Sequence, residues 1–91
     1  MKDRPQLSVV VPLYNEEECV MPLYASLVEA CDQLNVLYEL IFVDDGSQDQ
    51  TFPSLRRVHA GDLRVKVIRF RRNFGQTAAR QAGFRYAKGK V

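Results

Sequence analysis

Three short polar clusters carry most of the side chains that could do chemistry. Tyr14-Asn15-Glu16 follows the apolar run Leu7-Ser-Val-Val-Val-Pro12. Asp44-Asp45-Gly46-Ser47-Gln48-Asp49-Gln50-Thr51 follows Tyr38-Glu-Leu-Ile-Phe-Val43. Arg71-Arg72-Asn73-Phe74-Gly75 follows the alternating Arg64-Val-Lys-Val-Ile-Arg-Phe70. A carboxylate fixed at the end of a strand is a good acceptor for a base N–H or a ribose hydroxyl, and an aromatic ring beside it can cover the base. The third cluster adds cations and the start of a helix, whose free N–H groups attract anions. The common phosphate loops are absent: there is no Gly-x-Gly-x-x-Gly and no Gly-x-x-x-x-Gly-Lys-Ser/Thr, which disfavours a dinucleotide dehydrogenase or a P-loop enzyme.

The elements that must position these clusters are readable from periodicity. Leu7–Pro12 and Tyr38–Asp44 are β-branched, nearly continuous apolar runs, expected for strands buried on both faces. Arg64–Phe70 predicts a third strand. Val20, Leu23, Tyr24, Leu27, Cys31 and Leu34 recur at spacings of three and four, which predicts a helix over Glu17–Leu34, with Asn15 as its cap and Asn35 as its end. Asp49 or Thr51 can cap a second helix that takes in Leu55 and Val58, carries Pro53 in its first turn and ends near Gly61. A third helix is expected from Gln76 to Ala87, with Ala78, Ala79, Ala82 and Tyr86 on its packing side. Val91 is expected to open a fourth strand. The order βαβαβα plus the start of a strand indicates an α/β fold: a three-layer open parallel sheet with right-handed crossovers. In such sheets ligands bind beyond the carboxyl ends of the strands, where all three clusters fall.

Ninety-one residues, 46% hydrophobic and 26% charged, make one small globular unit rather than a disordered or fibrous chain. No apolar run approaches the roughly 18 residues of a membrane helix, and the polar start Met1-Lys-Asp-Arg4 has no signal-peptide pattern, so a cytoplasmic location is expected. Cys19 and Cys31 would sit about 18 Å apart on one helix, too far to bridge, and suit a reducing compartment. Net charge is +2, but residues 1–50 carry two basic and ten acidic side chains (−8), and residues 51–91 carry eleven and one (+10). That asymmetry fits either a polyanionic partner or two halves that neutralise each other across the fold.

Each candidate has a plainer reading beside the functional one. Glu17 and Glu18 suit a helix N-terminus by charge alone, and Asp49 suits a cap. Asp45 divides between turn geometry and function. Asp44 favours function, because a strand-end carboxylate after Leu-Ile-Phe-Val is hard to explain by packing alone. Core packing competes for Tyr14, and a solvated face competes for Arg69, Arg71 and Arg72. His59 is expected at the surface. Gly75 and Gly83 need only backbone or packing reasons.

Taken in order, Val11-Pro-Leu-Tyr-Asn-Glu-Glu17, Phe42-Val-Asp-Asp-Gly-Ser-Gln-Asp-Gln-Thr51 and Arg72-Asn-Phe-Gly-Gln-Thr-Ala-Ala-Arg-Gln-Ala-Gly83 resemble the opening of a family 2 glycosyltransferase of the A-type fold. Asn73-Phe-Gly-Gln-Thr-Ala-Ala79 most resembles the branch acting on dolichol and bacterial polyprenyl phosphates. The resemblance runs from about Leu7 to Val91. It implies a UDP- or GDP-sugar donor, with Pro12, Tyr14 and Glu16 lining the nucleoside, Glu16 on the ribose side. Phe42 and Asp44 would meet the base, Asp44 accepting its N–H. Asp45, Gly46 and Ser47 would shape the turn, and Arg80 matches a nucleotide or phosphate contact of many relatives. The family's Asp-x-Asp ligands for Mg²⁺ or Mn²⁺, its acceptor site and its catalytic base are expected beyond Val91. No catalytic residue or metal ligand is therefore assigned within 1–91, which is expected to be a single partial domain.

The implied function is binding of a nucleotide sugar whose sugar passes to an acceptor, a polyprenyl phosphate, at the cytoplasmic face of a membrane. Nucleic acid is not an expected partner. A membrane surface is, and so is self-association, because the family's strand order leaves one side of Leu7–Val11 unpaired in this chain. The alternative is a non-catalytic nucleotide-binding module using the same loops. A receiver-like signalling domain is disfavoured: it needs an Asp after the third strand, where Arg71-Arg72-Asn73 stands.

Overall fold

A computed structural model describes residues 4–91, so the start Met1-Lys-Asp3 lies outside the described residues. Strands β1 (Leu7–Leu13), β2 (Tyr38–Asp44) and β3 (Val65–Arg69) alternate with helices α1 (Val20–Asp32), α2 (Thr51–Gly61) and α3 (Gln76–Tyr86). The sheet is parallel, in the order β1-β2-β3. All seven residues of β2 are buried, as its unbroken apolar run requires for a central strand. Its alternate residues serve two cores. Leu40 and Phe42 pack with Leu13, Val20, Leu55 and Val58 under α1 and α2, while Ile41 and Val43 pack with Ala79 under α3. Helices thus cover both faces, the three-layer α/β arrangement expected.

Two helix boundaries differ from the periodicity. Glu17–Cys19 is a separate 3-10 turn, and α1 proper starts at Val20, with Pro22 tolerated in its first turn. Asn15 is not a cap. It adopts φ +50°, and its side chain is used across the loop to the β2–α2 connection. Asn35, at φ +57°, bars continuation beyond α1, which leaves Leu34 outside the helix and 57% exposed.

The packing row of α3 is Ala79 and Gly83, not Tyr86, which is exposed. A Cβ on Gly83 would stand 2.2 Å from Val10 Cγ1, so the helix approaches β1 as closely as a missing side chain allows. Seated over β1 and β2, α3 leaves Ala78, Ala82 and Tyr86 beside a groove at Ile68.

Past α3 the chain returns to the outer side of β1. Lys90 bridges Leu7 in parallel, with Ser8 N–H donating to Lys90 O at 2.7 Å and Lys90 N–H to Gln6 O at 3.0 Å. Buried Glu39 organises this return. It accepts Ser8 Oγ–H at 2.5 Å and Lys88 N–H at 2.6 Å, and pairs with Lys66 Nζ at 2.6 Å. Burial works against its charge, but these partners outweigh it and hold its carboxyl below the usual range. No helix among the described residues is long and apolar enough to cross a membrane.

Candidate functional site

The parallel register aligns three strand ends: Leu13 pairs with Asp44, and Asp44 with Arg69. The two consecutive aspartates that end β2 and open its loop have different surroundings. Asp44 is fully buried. Its Oδ1 accepts Ser47 N–H at 3.0 Å, which closes the tight turn of the loop. Its Oδ2 has no hydrogen-bond partner, and the nearest cation, Arg69 Nε, is 4.0 Å away. Asp45 is 2% exposed and fully engaged. It accepts Phe74 N–H at 2.8 Å, Gly75 N–H at 3.0 Å and Asn73 Nδ2–H at 3.0 Å. Its charge therefore sits against the N-terminus of α3 and fixes the β3–α3 loop. Gly46, at φ +77°, lets that loop touch: a Cβ there would lie 2.2 Å from the Arg72 carbonyl carbon.

The β1 loop is interlocked with the β2 loop. Asn15 N–H donates to Ser47 Oγ at 2.8 Å, and Gln48 N–H to Asn15 Oδ1 at 2.8 Å. Glu16 N–H donates to Thr51 Oγ1 at 2.9 Å. The N-cap position of α2 is Gln50, not Asp49 or Thr51. Asp49 accepts Thr51 N–H at 2.9 Å and Glu17 N–H at 3.3 Å, tying the β1 loop to the start of α2. Desolvation raises its proton affinity, but the Thr51 and Glu17 donors prevail and hold its carboxyl below the usual range.

Beyond these ends lies a cleft of about 660 Å³, bordered by Tyr14, Asp49, Arg56, Arg69, Arg71 and Arg72. Four guanidiniums face a single carboxylate, so the cleft is built for an anion. Arg69 lies over the Phe52 ring at 4.2 Å, with its Nε 4.0 Å from Asp44 Oδ2. A concavity of similar size, about 650 Å³, sits at the opposite edge of the sheet beside Tyr38, Glu39 and Arg64. There Arg64 pairs with Asp62 and Asp32, and Lys66 with Glu39, so few charges remain to recruit a ligand.

The residues singled out from the sequence are distributed unevenly. Tyr14 borders the cleft, 43% exposed. Asp44 does not itself border the cleft; its link to it is Arg69, 4.0 Å from Oδ2. Glu16 is on the same carboxyl edge, exposed, its Oε1 accepting Tyr14 N–H at 3.3 Å. Pro12 is half-buried on β1 opposite Val43. Phe42 is fully buried in the core one layer below Asp44. Asp45 is committed to the β3–α3 loop. Arg80 is exposed on α3, bonded to Gln76 Oε1 at 3.2 Å, and does not border the cleft. Phe52 and Arg56 were not anticipated; their signal is the spacing of four that puts both on one face of the first turns of α2. Among the described residues, no group of three or more His, Cys, Asp or Glu side chains is placed to hold a metal ion, so Mg²⁺ or Mn²⁺ has no fitting ligand set here.

Comparison with known proteins agrees with this architecture. Residues 8–91 match the family described as Glycosyl transferase family 2. The uncharacterized glycosyltransferase YkcC of Bacillus subtilis is 49% identical over 86 residues, covering 94% of this chain and 27% of that protein. Dodecaprenyl-phosphate galacturonate synthase of Rhizobium johnstonii is 44% identical over 87 residues, covering 94% and 26%. The mannosyltransferase PcManGT of Pyrobaculum calidifontis, solved with GDP-Man and Mn²⁺, superposes with a TM-score of 0.68 at 27% identity, covering 92% of this chain and 25% of that one. The chain thus spans about a quarter of the length of the relatives it matches. With the family match running from β1 through the last residue, the three strand-end clusters and the sheet that carries them place the chain in glycosyl transferase family 2.

Proposed function

We propose that residues 1–91 form the donor-binding part of a glycosyltransferase that moves a sugar from a UDP- or GDP-sugar to a polyprenyl phosphate. The observation that carries this reading is the unpartnered, fully buried Asp44 Oδ2, which lies 4.0 Å from Arg69 of an arginine-lined cleft. A buried carboxylate oxygen without a donor is costly, and a base N–H is a donor of the right kind. Tyr14 offers a ring to the nucleoside and Glu16 an exposed carboxylate to the ribose. Arg56 and Arg69 offer charge to the diphosphate, which becomes the leaving group when the sugar departs. The GDP-Man complex of PcManGT supports the donor class, and the galacturonate synthase supports a polyprenyl-phosphate acceptor. Such an acceptor is anchored in a bilayer, which would put the protein at the cytoplasmic face of a membrane. Mg²⁺ or Mn²⁺ would neutralise the diphosphate, held by ligands of the full enzyme beyond Val91.

Isothermal titration with UDP and GDP tests the reading. Asp44→Ala removes a charge-assisted bond worth about 1.5–3 kcal/mol, a loss of roughly 10- to 150-fold in affinity. Circular dichroism verifies that the variant is folded. Equal affinity of folded wild type and variant removes Asp44 from the site.

A further inference from the structure

From Leu63 to Val91 the chain holds nine basic side chains and no acidic one. Arg64, Lys66 and Arg69 lie within 4.0 Å of carboxylates. Arg71 and Arg72 do not: among the described residues neither has an ion-pair partner, and both are exposed. They stand on the β3–α3 loop next to Phe74, which is 55% exposed. The Arg72 guanidinium lies 5.0 Å from the Phe74 ring centre, and Phe74 meets Phe70 edge-on at 5.6 Å and 87°. This Arg–Phe–Phe stack is not a loose tip. Asp45 holds the backbone on both sides of it through Phe74 N–H and Gly75 N–H, and Gly46 receives Arg72 and Asn73 in direct contact. A rigid loop that keeps an aromatic ring half in water beside two unpaired guanidiniums matches one environment on both counts. The headgroup layer of an anionic bilayer offers negative charge to the cations and an apolar boundary to the ring.

We infer that Arg71, Arg72 and Phe74 form a docking point for an anionic membrane surface, at the rim of the donor cleft. The inference rests on the proposed lipid-linked acceptor: docking there brings the carboxyl edge of the sheet to the headgroup level, where a polyprenyl phosphate presents its phosphate. Charge complementarity favours a bilayer over a protein partner, because the ring and the cations share one small rigid surface.

Vesicle co-sedimentation of the 91-residue chain tests this, with no nucleotide present. Phosphatidylcholine vesicles carrying about a quarter phosphatidylglycerol supply the anionic surface; pure phosphatidylcholine is the neutral comparison. Wild type is expected on the anionic vesicles and to leave them at high salt. Arg71→Ala with Arg72→Ala should lower partitioning about 30-fold, taking about fivefold for each cation near the surface. Phe74→Ser should lower it several-fold without altering UDP or GDP titration, since Phe74 does not border the donor cleft. Arg85→Ala with Lys88→Ala, on and after α3, should change partitioning by less than the Arg71/Arg72 pair does. Equal binding to neutral and anionic vesicles, an unaffected Arg71/Arg72 double variant, or an equal loss from the Arg85/Lys88 pair overturns the inference. Vesicle binding without nucleotide binding would instead strike the donor reading alone.

Discussion

Replacing Asp45 with alanine is the sharpest probe of how the site edge is built. Three donors end on its carboxylate: Phe74 N–H at 2.8 Å, Gly75 N–H at 3.0 Å and Asn73 Nδ2–H at 3.0 Å. Bonds to a charged acceptor contribute about 1.5–3 kcal/mol each where the freed donor stays dry. Here the donors belong to exposed or half-buried residues, so water can re-pair them once the carboxylate is gone. That lowers each contribution to about 1 kcal/mol, and the sum to about 3 kcal/mol. Against a total of roughly 5–14 kcal/mol for a domain of this length, the loss is large but not fatal. Asp45→Asn keeps an oxygen acceptor but turns an NH₂ group toward an N–H donor, so it should fall between the two. Urea unfolding measures the stability change, and amide exchange at Phe74 and Gly75 reports the loop itself. Both amides should exchange faster in Asp45→Ala. A stability change under about 0.5 kcal/mol, the range of ordinary surface substitutions, together with unchanged exchange at both amides, would refute the clamp.

Gly83→Ala should destabilise by about 1–3 kcal/mol, since its Cβ would meet Val10 Cγ1 at 2.2 Å. Adding Val10→Ala takes away the 2.2 Å contact and leaves only Val10 Cβ at 3.2 Å, so a double-mutant cycle by urea unfolding should show the two changes as favourably coupled rather than additive. Asp62 accepts bonds from Arg64 and Tyr24, and the Arg64 guanidinium above all holds its carboxyl well below the usual range. A depressed folded value stabilises above the unfolded value of about 4 and is lost as pH falls toward the folded one. Asp62→Asn should therefore flatten the acid side of a stability-versus-pH curve, and an unchanged slope would count against the pairing. Among the described residues, the side of β1 away from β2 is bridged only near its start, by Lys90, so the 91-residue chain should self-associate. A monomer at high concentration in sedimentation velocity would contradict that.

The strands were legible because β-branched apolar runs have few other uses, and α2 because Leu55 and Val58 sit on one face just past a polar turn. What escaped notice depended on partners distant in sequence. Asn15 has the type of a helix cap, and only the arrival of Ser47 and Gln48 beside it makes it a clip between loops. Tyr86 belongs to the apolar side of α3 by periodicity, yet the approach of Gly83 to Val10 seats the helix over β1 and leaves Tyr86 outside. Ser8 and Glu39 interrupt two apolar strands, a hint that they face each other, but nothing local says that Lys88 and Gly89 close the pair. Phe42 shows a readable limit. It shares a face with Asp44 by the two-residue period of a strand, which puts it one layer deeper, in the core.

The same alternation explains why adjacent aspartates do unlike work. Asp45, past the last paired residue, turns toward α3 and spends its charge on three donors. Asp44 keeps the face of Leu40 and Phe42, and only Oδ1 is satisfied, by Ser47 N–H. Arg69 could approach Oδ2 but remains at 4.0 Å, beyond hydrogen-bond reach, with its guanidinium over Phe52. The ion pair thus attenuates the charge of Asp44 without filling its acceptor position. In the proposed complex a base N–H would fill it, and Arg69 would swing from Phe52 toward the phosphates. Arg69→Ala separates these two effects. It should remove a phosphate contact while uncovering Asp44, so affinity for UDP should fall and affinity for uridine should hold or rise. Titration of both ligands reads the difference. A parallel loss for nucleoside and nucleotide would mean that Arg69 supports the base site itself, and that the uncommitted oxygen of Asp44 is not where the base binds.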